Sequence, residues 1–576
     1  MSHKTYKNVI STKVTPQSEP ILGKDMVKNS AGGYSFEVND WMKLQRTIIL
    51  GTEGGTYYIS ERKLTRDNAK TAEKLIKQDG KRVVDMVVEI SDSGRAAKND
   101  AALFILAMCA GIGNEETRKY ALENLPKVAR IGTHLFHFAE YVQQFRGWGH
   151  GLRKAIAHWY TEKEAANLAY QLVKYQSRDG WSHRDLIKLS HPQSDDAARN
   201  LALRWAIDKM GTRKVEEIVD RKPKIRWEHD ERIHRQEMRD AKDLLPVIYA
   251  FEQVKKETSE GNILSLVKEY RLPLEAIPTE KQTIKVLEQA LPNLGITAII
   301  RNLGRYTSQG ILAPMNDNSK FVINALTNLE LLKKGRVHPI AVLAALMTYK
   351  NGHGFKGSLS WSPISAIVDA LDEAFYLAFG VVTPTGLNTM LALDISGSMG
   401  GNMINGLPFI DARMGSAAMA MITARTEKNH LIVGFTAGNR NEWTSKNGSY
   451  WSGRNGISEI DISPRKRLDT IVNETARLPM GGTDCALPMI YAKEKNLEID
   501  AFIVYTDNET WAGNIHPCQA LKEYRKHSGR NSRLIVVGMT ANDFSIADPS
   551  DAGMLDVVGF DTAAPQIMSD FMIGKI

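Results

Sequence analysis

The sequence predicts a multidomain chain in which an α-helical repeat solenoid is followed by an α/β doubly wound domain. Three observations carry this. The 576 residues, 43% hydrophobic and 24% charged, are too many for one ordinary domain and have a globular composition. Apolar residues recur at three- and four-residue spacing from about Trp41 to Phe379. After "VVTPTGLN" the pattern changes to short apolar strands separated by helices.

Taken in order, residues 1–30 are polar with scattered Pro and Gly and are expected to be a flexible tail. "MSHKTYKNVISTKV" has no apolar core and does not read as a signal peptide. Residues 31–380 form the helical part. "DAALFILAMCAGI", "EAANLAYQLVKY", "KVLEQALPNLGITAIIRNLGRY" and "PIAVLAALMTY" are its clearest helices, separated by short Gly, Asn or Pro breaks. Many helices of similar length with short turns suggest a solenoid, and the lack of a strict period suggests irregular HEAT-like repeats. Arg213 to Lys242, dense in both signs of charge, reads as a solvated helix face. His134 and His137 in "THLFHF" read as helix-packing residues. No apolar run is long enough to span a bilayer, and three scattered cysteines suit a reducing, cytoplasmic setting.

Residues 381–576 form the second part. "TMLALDIS", "HLIVGF", "DAFIVYTDN" and "SRLIVVGM" alternate with helical segments, which gives a parallel sheet covered on both faces. Ala437 to Arg467 is expected to be an enlarged polar loop. Charge divides along the same boundary. From Val381 onward 18 Lys and Arg face 21 Asp and Glu, whereas the preceding part carries 56 against 45. The overall charge of +8 therefore resides in the helical part, which favours a polyanionic partner there.

The stretch "LDISGSMGG" places Asp394, Ser396 and Ser398 where the first apolar strand ends. A serine-hydrolase elbow would need glycine where Ser396 stands, and His516 has no well-placed acid partner. An oxygen cage for a hard cation explains the pattern better, because later strand ends add Thr483 in "GGTDC" and Asp507 in "YTDNET". Two carboxylates and three hydroxyls suit Mg²⁺ or another divalent cation. In doubly wound sheets ligands gather at the carboxyl ends of the strands, where these residues fall.

The order D-x-S-x-S, Thr, Asp resembles the metal-ion-dependent adhesion site of a von Willebrand factor A domain. "GTEGGTYYI", "GLRKAIAHWY", "GWSHRDLIKLSHP", "YKNGHGFKGSLSW" and "IADPSDAGMLDVVGFDT" extend the likeness to nearly the whole chain, which resembles the Ro 60-kDa ribonucleoprotein family. The resemblance implies a ring of HEAT-like helices, the TROVE module, joined to an A domain. It implies binding of small noncoding Y RNA on the outer ring surface and of single-stranded 3′ ends of misfolded RNA in a central hole. It also implies a 3′-to-5′ exoribonuclease partner and an acidic partner group at the A-domain cation. The protein is expected to be a monomeric scaffold in a cytoplasmic ribonucleoprotein, not an enzyme. Lys174, Arg178 and His191 match positions implicated in Y RNA contact. The same stretch adds His183, Arg184 and Lys188, and "RGWGHGLRK" adds Arg153 and Lys154 as weaker candidates. The segment Arg213 to Lys242 carries few family-like words. The competing reading is a metal-dependent protein-interaction module on a helical support. Against catalysis stand the missing G-x-x-x-x-G-K-[ST] loop and the missing two-metal acidic cluster.

Overall fold

The helical periodicity is realised segment by segment in the computed structural model. The structure describes all residues except 1–13, 52–63, 67–68, 220–221, 355–357, 402–409, 438–455, 461 and 479–480. "DAALFILAMCAGI" is the helix Asp100–Ile112, buried from Ala101 to Gly111. Ala165–Lys174, Ile284–Ala290, Ile296–Ser308 and Pro339–Asn351 follow where the spacing predicts them. Several breaks between helices are capping residues. Asn114, Asp196, Asn316 and Asn328 each accept a hydrogen bond from a backbone N–H of the following first turn, which satisfies a donor the helix cannot.

The succession of helices closes on itself. Arg336 Nη2 lies 2.8 Å from Asp92 Oδ1, and His338 Nε2 donates to the carbonyl of Arg95 at 3.2 Å. The end of an early helix, Lys70–Ser93, therefore meets the start of a late one, Pro339–Asn351.

Two expectations are corrected. The stretch 14–30 is no free tail: Gln17 and Asn29 are buried. Strand β1 (Met26–Lys28) pairs with β2 (Tyr34–Glu37), and β2 continues into a strand from the far end of the chain. The charge-dense region is not all helix. After the short hairpin β3 (Ser177–Arg178) and β4 (Trp181–Ser182), a longer one forms from β5 (Thr212–Val219) and β6 (Lys222–His229). Only then comes the helix Glu231–Leu244. Most of the expected loop from Ala437 to Arg467 lies outside the described residues.

The C-terminal sheet contains β7 (Thr389–Asp394), β8 (His430–Phe435), β9 (Ile457–Glu459), β10 (Ala501–Thr506), β11 (Arg533–Gly538) and β13 (Met554–Val558). Its order is β13-β11-β10-β7-β8-β9, parallel except for the edge strand β9. The remaining strand, β12 (Phe544–Ser545), is the one that pairs with β2. Side chains alternate between two cores, as the period of a strand requires. Leu391, Leu393, Ile503, Tyr505, Ile535 and Val537 face the helices Ala412–Thr426 and Ala564–Met572 and join the core of the helical part. Met390, Ala392, Phe502, Val504, Leu534 and Val536 face Leu487–Glu494 and Pro517–Ser528. The strand order reverses between β7 and β10. That switch point opens a crevice at the strands' carboxyl ends.

Candidate metal and nucleic-acid sites

Asp394 ends β7, and Asp507 directly follows β10, so the two strands flanking the switch point each deliver one carboxylate. Ser396 follows Asp394 in a bend, and Ser398 lies in the short helix Gly397–Gly401 that begins directly after it. The Ser396 backbone N–H donates to Asp394 Oδ1 at 2.9 Å, and the two serine hydroxyls lie 3.2 Å apart. The loop of Thr483 is tied to both others. Gly397 N donates to the carbonyl of Gly481 at 3.0 Å, while Trp511 N and Ala512 N donate to that of Thr483 at 3.1 and 3.0 Å. All five residues named from the sequence are buried here: Asp394, Ser396, Ser398, Thr483 and Asp507.

The electrostatics of this cluster suit a cation. Burial, and then the charge of Asp507, push the Asp394 carboxyl up to about 7. Burial likewise raises Asp507. Asp507 Oδ2 is buried and makes no hydrogen bond, which leaves an acceptor open in the cluster. Among the described residues no three His, Cys, Asp or Glu side chains cluster to hold a metal. This donor set reaches its number through hydroxyls, the pattern expected of a hard divalent ion.

Sequence reasoning missed a rim of further acids. Glu509 is pushed up to about 7 by burial and by Asp507, and Asp484 up to about 6 by burial. The N-terminal segment covers both. Ala31 N donates to Glu509 Oε2 at 3.0 Å, and Gln17 Nε2 to Asp484 Oδ1 at 2.7 Å. Their only signal was adjacency to Thr483 and Asp507. His516, the candidate base of the rejected hydrolase reading, is buried, and its Nε2 donates to the carbonyl of Glu19 at 2.8 Å.

The second constellation is built on the β3–β4 hairpin and the helix His183–Ser190. Asp179 and Gly180, both at positive φ, make the two-residue turn. Ser182 then caps the helix in a capping box with Asp185. Along that helix His183, Leu186, Ile187 and Ser190 are buried, which leaves Arg184 and Lys188 on the outer face. His191 ends the helix, exposed, in the left-handed conformation. Arg178 is exposed on the hairpin, and Arg184 is paired with Asp208 at 2.5 Å. Lys174 is half-buried, its ammonium 5.4 and 5.5 Å from the ring centres of Tyr170 and Tyr175.

His183 is the corrected member of the set. It packs against Phe136, Trp159 and Tyr160, and its Nδ1 meets the Tyr160 hydroxyl at 2.8 Å. Burial drives its pKa down to about 3, so it is a neutral core residue and presents nothing to RNA. Its place on the i, i+3, i+4, i+7 stripe with Leu186, Ile187 and Ser190 was the signal against it. Arg153 and Lys154 are exposed near the start of the helix His150–Glu162. That helix meets His183 through Tyr160, roughly 9 Å further along at the standard rise per residue. Lys154 instead lines a separate groove of about 520 Å³ with Arg118, Arg146 and His158.

His137 does more than pack. Its Nδ1 lies 2.8 Å from Asp100 Oδ1 and its Nε2 2.9 Å from Asp179 Oδ2, so it fastens the β3–β4 turn to the helix Asp100–Ile112. The Asp100 carboxylate raises its pKa above the ordinary value. Trp181 Nε1 adds a bond to Glu140 at 2.9 Å. His134 is a packing residue as expected, lowered to about 4 by burial.

A helical TROVE region continued by a von Willebrand A domain is the class that these two halves define. The chain matches the TROVE domain over residues 27–351 and the Ro60 vWA domain over 388–572. It is 38% identical over 564 residues to a protein of Deinococcus radiodurans called RNA-binding protein RO60, covering 97% of this chain and 98% of the relative. A Caenorhabditis elegans protein of the same name is 36% identical over 621 residues, 98% of this chain and 92% of that one. The crystal structure of the Deinococcus radiodurans RO (RSR) protein superposes with a TM-score of 0.65 at 38% identity, covering 93% of this chain and all of the other. The chain belongs to the Ro60 family.

Proposed function

We propose that the protein is a non-catalytic scaffold that holds a small noncoding Y RNA on the outer face formed by Lys174, Arg178, Arg184, Lys188 and His191. Its helical closure takes single-stranded 3′ ends of misfolded RNA and presents them to a 3′-to-5′ exoribonuclease in the cytoplasm. The observation that carries the RNA face is the pinned hairpin. Asp179 and Gly180 set the turn, His137 locks it, and the cations on either side are exposed on a rigid base. Phosphate contacts from such a surface position a duplex without reading its sequence. No helix among the described residues is long and apolar enough to cross a membrane.

Asp394, Ser396, Ser398, Thr483 and Asp507 would hold Mg²⁺ or another divalent cation. When bound, the cation supplies an open position for an acidic group of a partner protein. The chain's own residues set the terms: the Ser396 N–H orients Asp394, and the Thr506 hydroxyl donates to its other oxygen at 2.6 Å. The test is to purify the protein from its own cells and sequence the RNA that accompanies it. A discrete small structured RNA is expected. An RNA-free protein, or a random sample of cellular RNA, would contradict the reading.

A further inference from the structure

The β5–β6 hairpin concentrates positive charge around one aromatic ring. Lys214 and Trp227 are direct cross-strand partners, so both lie on the same face. The Lys209 ammonium sits 3.8 Å from the Trp227 ring centre, that of Lys214 5.5 Å and the Arg204 guanidinium 5.9 Å. Arg204 is neutralised by Glu237 at 3.0 Å and held by the carbonyls of Lys209 and Thr212. Lys209 and Lys214 have no carboxylate partner among the described residues. The nearby acids are engaged elsewhere: Asp208 by Arg184, and Glu228 and Asp230 by Arg213. Glu216 is the one described carboxylate on the same hairpin face as Lys214. A ring face steadies cations without cancelling their charge, so these ammonium groups are held in place yet remain available to an anion.

The cluster is continuous with the face described above. Burial does most to disfavour the charged form of Lys209, followed by the charges of Lys214, of Lys188, exposed on the helix His183–Ser190, and of Arg204. The Arg184–Asp208 pair joins that helix to the loop bearing Lys209. We propose that the β5–β6 hairpin, with Lys209 and Lys188, is a second RNA-contact surface that grips the phosphate backbone of the RNA seated on the Arg184–His191 face. An eight-residue ribbon is about 27 Å long, enough to follow several consecutive phosphates. The inference rests on the RNA-binding reading above.

The experiment compares wild type, the double variant Lys209→Gln/Lys214→Gln, its counterpart Lys209→Arg/Lys214→Arg, and Lys174→Ala/Arg178→Ala. Each is titrated with an RNA hairpin of about twenty base pairs from 50 to 500 mM salt. Loss of two phosphate contacts should flatten the log K against log salt slope by roughly 1.4–1.8, with the difference in affinity shrinking as salt rises. The Arg counterpart should keep the wild-type slope. A Gln variant that melts like wild type yet matches its slope and affinity would overturn the proposal. If wild type itself bound no RNA, the functional reading would fail first. Loss in Lys174→Ala/Arg178→Ala alone would sink only the hairpin. Ultraviolet cross-linking of the wild-type complex avoids any folding defect: cross-links to the peptide bearing Trp227 are expected, and their absence beside cross-links to residues 174–191 would contradict it. A polyglutamate peptide competing as well as the RNA would assign the patch to an acidic protein instead.

Discussion

Arg95 and Asp561 form a two-point ion pair between the helical region and the sheet domain, with Nε 3.1 Å from Oδ1 and Nη2 2.7 Å from Oδ2. Both are buried, and Arg95 Nη1 also holds Glu89 at 2.8 Å. Because His338 donates to the Arg95 carbonyl, the same residue stands at the closure of the helical region and at its junction with the sheet. Arg46 and Asp556 make a second buried pair across that junction.

Removing one partner of such a pair leaves the other charge buried. Asp561→Ala should therefore cost about 3–5 kcal/mol, far more than a surface pair would. Chemical denaturation followed by circular dichroism measures it. Arg95→Met combined with Asp561→Leu should recover much of the loss. A single-variant cost below about 1 kcal/mol would mean the junction is held without this pair.

The turn of the β3–β4 hairpin should respond to pH. The folded-state pKa of His137 lies above 6.5, raised by Asp100 and then by Asp179. The stabilisation it gives is therefore full below pH 6.5 and is lost as pH rises through the folded value. Hydrogen exchange of residues 177–182 should quicken from pH 6 to 9, after correction for the intrinsic rate. His137→Gln should remove that dependence. Identical profiles for both proteins would rule the histidine out as the fastener.

The oxygen cage has the opposite appetite for protons with and without a cation. Asp394, at about 7 against an ordinary 3.8, contributes stability that is present below pH 3.8 and lost as pH rises through 7. Mg²⁺ should therefore raise the melting temperature more at pH 8 than at pH 5.5. Asp394→Asn should abolish that gain and leave RNA affinity within about twofold of wild type. An equal gain from Mg²⁺ in wild type and variant would place the cation elsewhere.

Local patterns in the sequence were good guides, and nonlocal pairing was hidden. The helix Asp100–Ile112, strands β7, β8, β10 and β11 and the five residues at the switch point follow from periodicity and motif order, whereas β13 and β9, the latter inside the expected loop, do not. His183 was misread because its neighbours Arg184 and Lys188 are exposed, whereas the stripe of Leu186 and Ile187 faces the core. The β5–β6 hairpin escaped because "TRKVEEIV" shows no apolar alternation and the brief Ile225–Trp227 alternation in "KPKIRWEH" is set among charges of both signs. The packing of Gln17 onto Asp484 joins residues far apart in the chain, which no short-range pattern can encode. Asp179–Gly180 is a hairpin dipeptide that the helical reading of its surroundings passed over, and its lock by His137 joins residues too far apart in the chain for a local pattern to show.

The most direct measurement is a pair of titrations of wild type and the triple variant Lys174→Ala/Arg178→Ala/His191→Ser, at one salt concentration. One RNA is a Y-like hairpin and the other an unstructured oligomer with a free 3′ end. The hairpin is expected to lose about 2–4 kcal/mol of affinity, roughly 30- to 1,000-fold, while the oligomer loses much less. Unchanged hairpin affinity, or equal loss for both RNAs, would contradict a separate outer RNA face.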